Sequence, residues 1–184
     1  MNDKVKRLTA LGALTALIVI LQFISNYVAI GPVSITLSLI CIVIGAYLYG
    51  PIAGLFLGLV NGAIVLTAPS TQFFLAYKPL WTVLVCLLKM GIAGLVAGFM
   101  PMIFKKHEKV GVIVTSLLVP IINTGLFAIG SLLFFMDLFN NSVAYLFLSV
   151  IGINFLIEFG VNALLSPSVY FIIKVVKTKY YPEI

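Results

Sequence analysis

Long unbroken runs of apolar residues dominate this chain, and short clusters of glycine, proline and charge punctuate them. The stretches 8–23 and 80–104 carry a single charge between them, Lys89. Continuous apolar runs near twenty residues are what a helix needs to cross a bilayer. A transmembrane β-barrel would instead alternate apolar and polar residues in segments of about ten. The pattern predicts an all-α, polytopic membrane protein with six helices, at about 4–25, 34–49, 51–68, 80–104, 110–136 and 142–176. The second is short for a span. Gly31-Pro32 marks an outward loop over 26–32, and Gly50-Pro51 a tight turn in which Pro51 opens the third helix. Residues 69–79 read as a loop between two prolines, 137–141 as an outer turn, and Pro167 as a kink near the inner leaflet.

Composition agrees with this solvent. Hydrophobic residues make up 62% of the chain and charged residues only 9%, with a mean hydropathy of +1.24, too few charges to cover a water-facing surface. At 184 residues the chain forms one domain, 1–184, without internal repeats. The net charge of +6 is concentrated before the first helix (Lys4, Lys6, Arg7), after the fourth (Lys105, Lys106, Lys109) and after the last (Lys174, Lys177, Lys179). Those positions predict both ends inside the cell, in a plasma membrane, and they account for the bases without a nucleic-acid partner. The start of the chain reads as a retained first helix, and Cys41 and Cys86, both within apolar runs, read as core residues.

Glycine recurs every fourth residue at 50, 54, 58 and 62, one helix face on which a neighbouring backbone can come close, for packing within the chain or against a partner. Helix one carries a second small-residue face, Thr9, Gly12, Ala13 and Ala16, placed to pack or to dock a partner beside the membrane surface.

Ionisable groups at bilayer depth are costly, so they either meet partners or mark function. Lys89 and Glu158 have opposite sign at similar depth, which reads either as a neutralising pair or as part of a binding cavity. Asn154, Glu158 and Asn162 form a stripe at four-residue spacing. Asn123 and Asn61 can meet it from other helices, with Gln22 and Asn26 approaching from helix one. The run Thr71-Gln72-Phe73-Phe74-Leu75-Ala76-Tyr77-Lys78-Pro79-Leu80-Trp81 offers rings and one base that suit either a ligand cap or an interfacial aromatic belt; Tyr27 has the same two readings.

The sequence contains no HExxH, GxSxG or GxxxxGK[ST] pattern, so it predicts neither an enzyme nor an ATPase, and no cofactor or metal in this chain. A small membrane enzyme, a structural membrane protein and a stand-alone proton-coupled transporter using Glu158 are the competing classes.

Gly-Pro-Val-Ser-Ile-Thr-Leu (31–37), Gly-Ala-Tyr-Leu-Tyr-Gly-Pro-Ile-Ala-Gly-Leu-Phe-Leu-Gly (45–58) and Lys-Met-Gly-Ile-Ala-Gly-Leu-Val-Ala-Gly (89–98) resemble the substrate-binding S components of energy-coupling factor (ECF) vitamin transporters. The resemblance implies a vitamin-binding subunit with an outward pocket, working with a transmembrane coupling subunit and two cytoplasmic ATPases that use ATP. It also implies toppling in the membrane to release the ligand, and a coupling-subunit contact on helix one, where Thr9/Ala13 and Gly12/Ala16 stand in for the family's Ala-x-x-x-Ala. The Lys-Pro-Leu-Trp entry to the fourth long helix is similar to pantothenate-type members, with Lys78 or Lys89 to meet a carboxylate; riboflavin, folate, cobalamin and pyridoxine or pyrimidine cargoes also belong to the family.

Overall fold

The computed structural model describes residues 3–27, 29–30, 33–34, 36–139, 142–145 and 152–180. Among them the chain is helical apart from a two-residue antiparallel pairing, β1 (Ala29–Ile30) with β2 (Val33–Ser34). The helices are α1 (Asp3–Tyr27), α2 (Leu39–Tyr49), α3 (Pro51–Val65), α4 (Pro69–Tyr77), α5 (Pro79–Ile103), α6 (Glu108–Phe134), α7 (Val143–Tyr145) and α8 (Ile153–Tyr180), with a 3-10 turn at Met136–Phe139 after α6. Four segments among the described residues are long and apolar enough to cross a bilayer: Lys4–Asn26, Pro79–Ile103, Glu108–Phe134 and Phe155–Lys179. The bent pair α3 and α4 makes a fifth if it is taken as one span. This is a multi-pass membrane protein.

Two elements differ from the sequence expectation. The second helix starts at Leu39 and not at residue 34, because a turn occupies residues 37–38. It is short but central: most of its residues are buried, and α1, α3, α5, α6 and α8 all touch it. The expected loop 69–79 is mostly the helix α4, at 81° to α3. Pro69 presets the helical φ at its first turn, while Ala68 before it stays extended. The carbonyls at the end of α3 are met locally, Ile64 by the Thr67 hydroxyl at 2.7 Å and Leu66 by the Gln72 amide at 2.8 Å. Pro167, read as a kink, lies inside α8. Pro167 removes the amide that would meet the Ala163 carbonyl, and the Ser166 hydroxyl donates to that oxygen instead at 2.8 Å.

Gly50 turns α2 into α3 at φ 88°, a conformation that favours glycine, and its amide donates to Ala46 O at 2.9 Å. The glycine face beyond it packs within the chain. A Cβ on Gly54 would sit 2.1 Å from Gly94 O, one on Gly58 2.2 Å from Met90 O, and one on Gly62 2.7 Å from Cys86 O. Backbone therefore rests on backbone along α3 and α5.

The two ends of the described chain lie at one end of the bundle. Arg7 donates to Tyr49 O at 2.9 Å, Tyr47 OH donates to Glu108 O at 3.3 Å, and Lys177 pairs with Glu108 and lies 5.6 Å over the Tyr47 ring. The start of α1, the α2–α3 turn, the α5–α6 connection and the end of α8 are thus neighbours, and the basic clusters lie there. The main core runs through Ile18, Leu39, Ile42, Leu57, Met90, Val112 and Ile173; a second, aromatic cluster around Val85, Phe135 and Phe139 lies toward the other end.

Candidate functional site

A cavity of about 400 Å³ lies in the half of the bundle away from the three basic clusters. That size is within the range of small-molecule sites. Each neighbouring element gives it a few side chains: Gln22 from α1, Thr36 before α2, Val65 at the end of α3, and Ser70, Thr71, Phe73 and Phe74 from α4. Thr82, Val85, Cys86, Lys89 and Met90 come from α5, and Asn123, Thr124 and Phe127 from α6. Phe135, Leu138 and Phe139 follow α6, and Glu158 closes the site from α8.

One wall is aromatic. Phe74 meets Phe127 and Phe135 edge-to-face, with ring centroids 5.7 and 5.2 Å apart, and tilts against Phe139 at 6.1 Å. Such edge-to-face pairs add specific geometry to apolar burial. The bend at Pro69 makes this wall possible, because it lays α4 across the end of the bundle where its rings reach those that follow α6.

The other wall is polar, and its two charges do not form the ion pair offered by the sequence. The Glu158 carboxylate is 6% exposed and accepts hydrogen bonds from the Thr36 hydroxyl and, at 3.3 Å, from the Asn123 amide. The Lys89 ammonium lies 4.8 Å over the Phe127 ring. Among the described residues it has no carboxylate within 4.0 Å and no hydrogen-bond acceptor. The carboxylate is engaged by neutral donors and the ammonium by a π face, so both charges stay available to the cavity.

The remaining sequence candidates divide by place. Gln22 lines the cavity but also belongs to a network that ties three helices. Ser38 Oγ lies 2.8 Å from Gln22 Oε1 and 2.9 Å from Asn61 Oδ1, its single hydrogen serving one at a time, and the Gln22 amide donates to Asn26 at 3.1 Å. Asn61 is fully buried, its amide directed at Met90 Sδ, and neither Asn61 nor Asn26 reaches the cavity lining. Tyr77, Lys78 and Trp81 also lie outside the lining. Lys78 donates to Phe134 O at 2.8 Å and lies 3.6 Å from Asp137, which Tyr77 OH meets at 3.3 Å; Trp81 stacks on Phe134 at 3.9 Å. These contacts fasten the start of α5 to the end of α6 beside the aromatic wall. The side chains of Tyr27 and Asn154 lie outside the described residues. Asn162 is buried one turn from Glu158, and its amide donates to Glu158 O at 2.8 Å.

Thr36, Thr82, Thr124 and Phe127 line the cavity without a sequence signal that sets them apart. Hydroxyls and phenylalanines at such positions are ordinary in membrane helices, and only the polar wall, through Glu158, was singled out by its cost.

The α1 face of Thr9, Gly12, Ala13 and Ala16 is exposed, and a Cβ on Gly12 would meet nothing within 4 Å. The chain thus presents a cavity with both charges at one end and a bare small-residue face on its first helix. The family model described as "ECF transporter, substrate-specific component" matches residues 6–170. The chain belongs to that family. No curated protein and no solved structure matches it. As an S component it is a transport subunit and not an enzyme, and the cavity is where its substrate specificity is to be sought.

Proposed function

We propose that this S component captures a small water-soluble vitamin of the pantothenate kind at the outer face and delivers it inward with a transmembrane coupling subunit and two cytoplasmic ATPases. In this reading the chain crosses the plasma membrane six times, α2 and α3 among the crossings, with both ends in the cytoplasm. The observation that carries it is the Lys89 ammonium, which faces a cavity of about 400 Å³ and has no acceptor among the described residues. Pantothenate has a carboxylate for Lys89, an amide and hydroxyls for the polar wall of Asn123, Thr36 and Glu158, and a branched methyl segment for the phenylalanine wall. The basic clusters at the opposite end support the orientation by the positive-inside rule.

The purified chain should melt higher with one vitamin of a B-vitamin panel. At a hundred times its dissociation constant a ligand stabilises by about 2.7 kcal/mol, roughly 5–10 °C for a chain of this size. A flat response across the panel would overturn the vitamin reading, and a shift for riboflavin or folate alone would replace pantothenate as the cargo.

The exposed face of α1 is the proposed contact for the coupling subunit. Gly12→Leu with Ala16→Leu should leave melting of the isolated chain within about 2 °C, because neither position is packed. The same pair should abolish co-purification with the coupling subunit. Retained co-purification would move the contact elsewhere.

A further inference from the structure

The Glu158 side of the cavity carries more acceptor oxygen than its neighbours satisfy. Among the described residues, the side-chain oxygens of Asn123, 4% exposed, and of Asn162, 2% exposed and outside the cavity lining, are buried without a hydrogen-bond partner. The Asn123 amide adjoins the Glu158 carboxylate at 3.3 Å, with the Thr36 hydroxyl on the other carboxylate oxygen, and Asn162 lies one turn along the same face of α8. Unpartnered acceptors at this depth cost free energy unless something positive or donor-bearing meets them. Asn123 meets that need when its amide turns over, so that Oδ1 and the carboxylate face one occupant.

Charge points the same way. Lys89 and Glu158 balance while the cavity is empty of other charge. A carboxylate ligand held by Lys89 adds a negative charge and leaves Glu158 uncompensated in a low-dielectric interior, where an unpaired ion is most costly. One monovalent cation restores neutrality. A hard ion such as sodium suits carboxylate, amide and hydroxyl oxygens, whereas calcium takes six to eight oxygen ligands, commonly with several carboxylates. No group of three His, Cys, Asp or Glu side chains occurs among the described residues to hold a divalent or transition metal.

We propose that Glu158, Asn123 and Thr36 form a monovalent-cation site, selective for sodium, that sodium occupies weakly alone and more tightly with an anionic ligand on Lys89. The coupling to ligand rests on the proposed carboxylate cargo; the site itself does not. It gives an S component a reason to keep a carboxylate in its cavity opposite the cation that reads the ligand.

The test uses the full chain in detergent, titrated with sodium chloride against choline chloride at constant ionic strength, with and without pantothenate. Sodium alone should raise the melting temperature in a saturable way, and choline should not. Glu158→Gln, close in shape, should raise the half-maximal sodium concentration at least tenfold, and Asn123→Asp should lower it. Pantothenate affinity should rise at least fivefold from choline to sodium. A sodium response lost in Glu158→Gln, with no pantothenate binding in any salt, would keep the cation site and remove the pantothenate reading. Equal melting in sodium and choline would overturn the site. So would pantothenate binding that is indifferent to sodium and takes up one proton, seen as a buffer-dependent heat, because Glu158 would then be neutralised by protonation.

Discussion

Gly58→Leu is expected to yield no monodisperse folded protein in mild detergent, whereas Gly125→Leu should purify and melt like the parent. A Cβ at Gly58 meets Met90 O at 2.2 Å, the Met90 carbonyl carbon at 2.8 Å and Gly91 Cα at 3.1 Å. All three are backbone atoms, so no rotamer change relieves the clash and α3 must lift off α5. Overpacking a core with movable side chains costs about 1–3 kcal/mol. Forcing two helices apart along a shared face exceeds that range and takes a large part of the roughly 5–15 kcal/mol that holds a domain together. Gly58→Ala sets the same Cβ against the same backbone atoms, so it should be destabilised nearly as far as Gly58→Leu. At Gly125 nothing lies within 4 Å of an added Cβ, so leucine there tests hydrophobicity without the clash. Size-exclusion profiles and thermal melts of the three variants decide the matter, and a normal melt for Gly58→Leu would refute the close α3–α5 contact.

The second large effect is on recognition. Lys89→Met should weaken pantothenate binding by roughly 10- to 150-fold, the range of about 1.5–3 kcal/mol for a hydrogen bond to a charged group. It should leave binding of the corresponding neutral alcohol, in which the carboxylate is reduced, within about threefold. Melting of the ligand-free protein should fall, because methionine keeps the apolar stem against Phe127 but leaves the buried Glu158 carboxylate without the charge that balances it. Calorimetry with both compounds separates the outcomes. Parallel losses for acid and alcohol would mean that Lys89 shapes the cavity without reading charge. Unchanged binding of the acid would remove Lys89 from recognition.

Much of this architecture was legible in the chain itself, for physical reasons that differ by element. The spans α1, α5, α6 and α8 announce themselves because a helix in lipid tolerates almost no charge over its length. Gly50-Pro51 marks its turn because one residue supplies the left-handed φ and the next a preset helical one. The four-residue glycine period foretold close helix contact, and Gly94 and Met90 show that the contact lies inside the chain. Helix α4 was hidden by the prolines at 69 and 79, which read as the bounds of a loop although each of them starts a helix.

The candidate site was legible where burial makes chemistry expensive and illegible where it does not. Glu158, Lys89 and Asn123 stood out as polar groups at depth, and all three face the cavity. Lys78 and Trp81 stood out by the same chemistry but are engaged with Phe134 at the rim. Composition cannot separate a ring that faces a ligand from one that faces a neighbour. Phe74 and Phe127, which form the apolar wall, resemble any other phenylalanine in a membrane helix until α4 is seen to fold across the bundle.

Because α1 begins and α8 ends at the same end of the bundle, the end turned away from the cavity, attachments beyond either helix stay clear of ligand entry. A sensor chip can hold the protein by its first or its last residues with the cavity turned toward the analyte. On the proposed topology, with both ends in the cytoplasm, two copies can also be joined in tandem through a short flexible linker, so that one copy with an inactivated cavity and one intact copy can be counted separately in a single polypeptide.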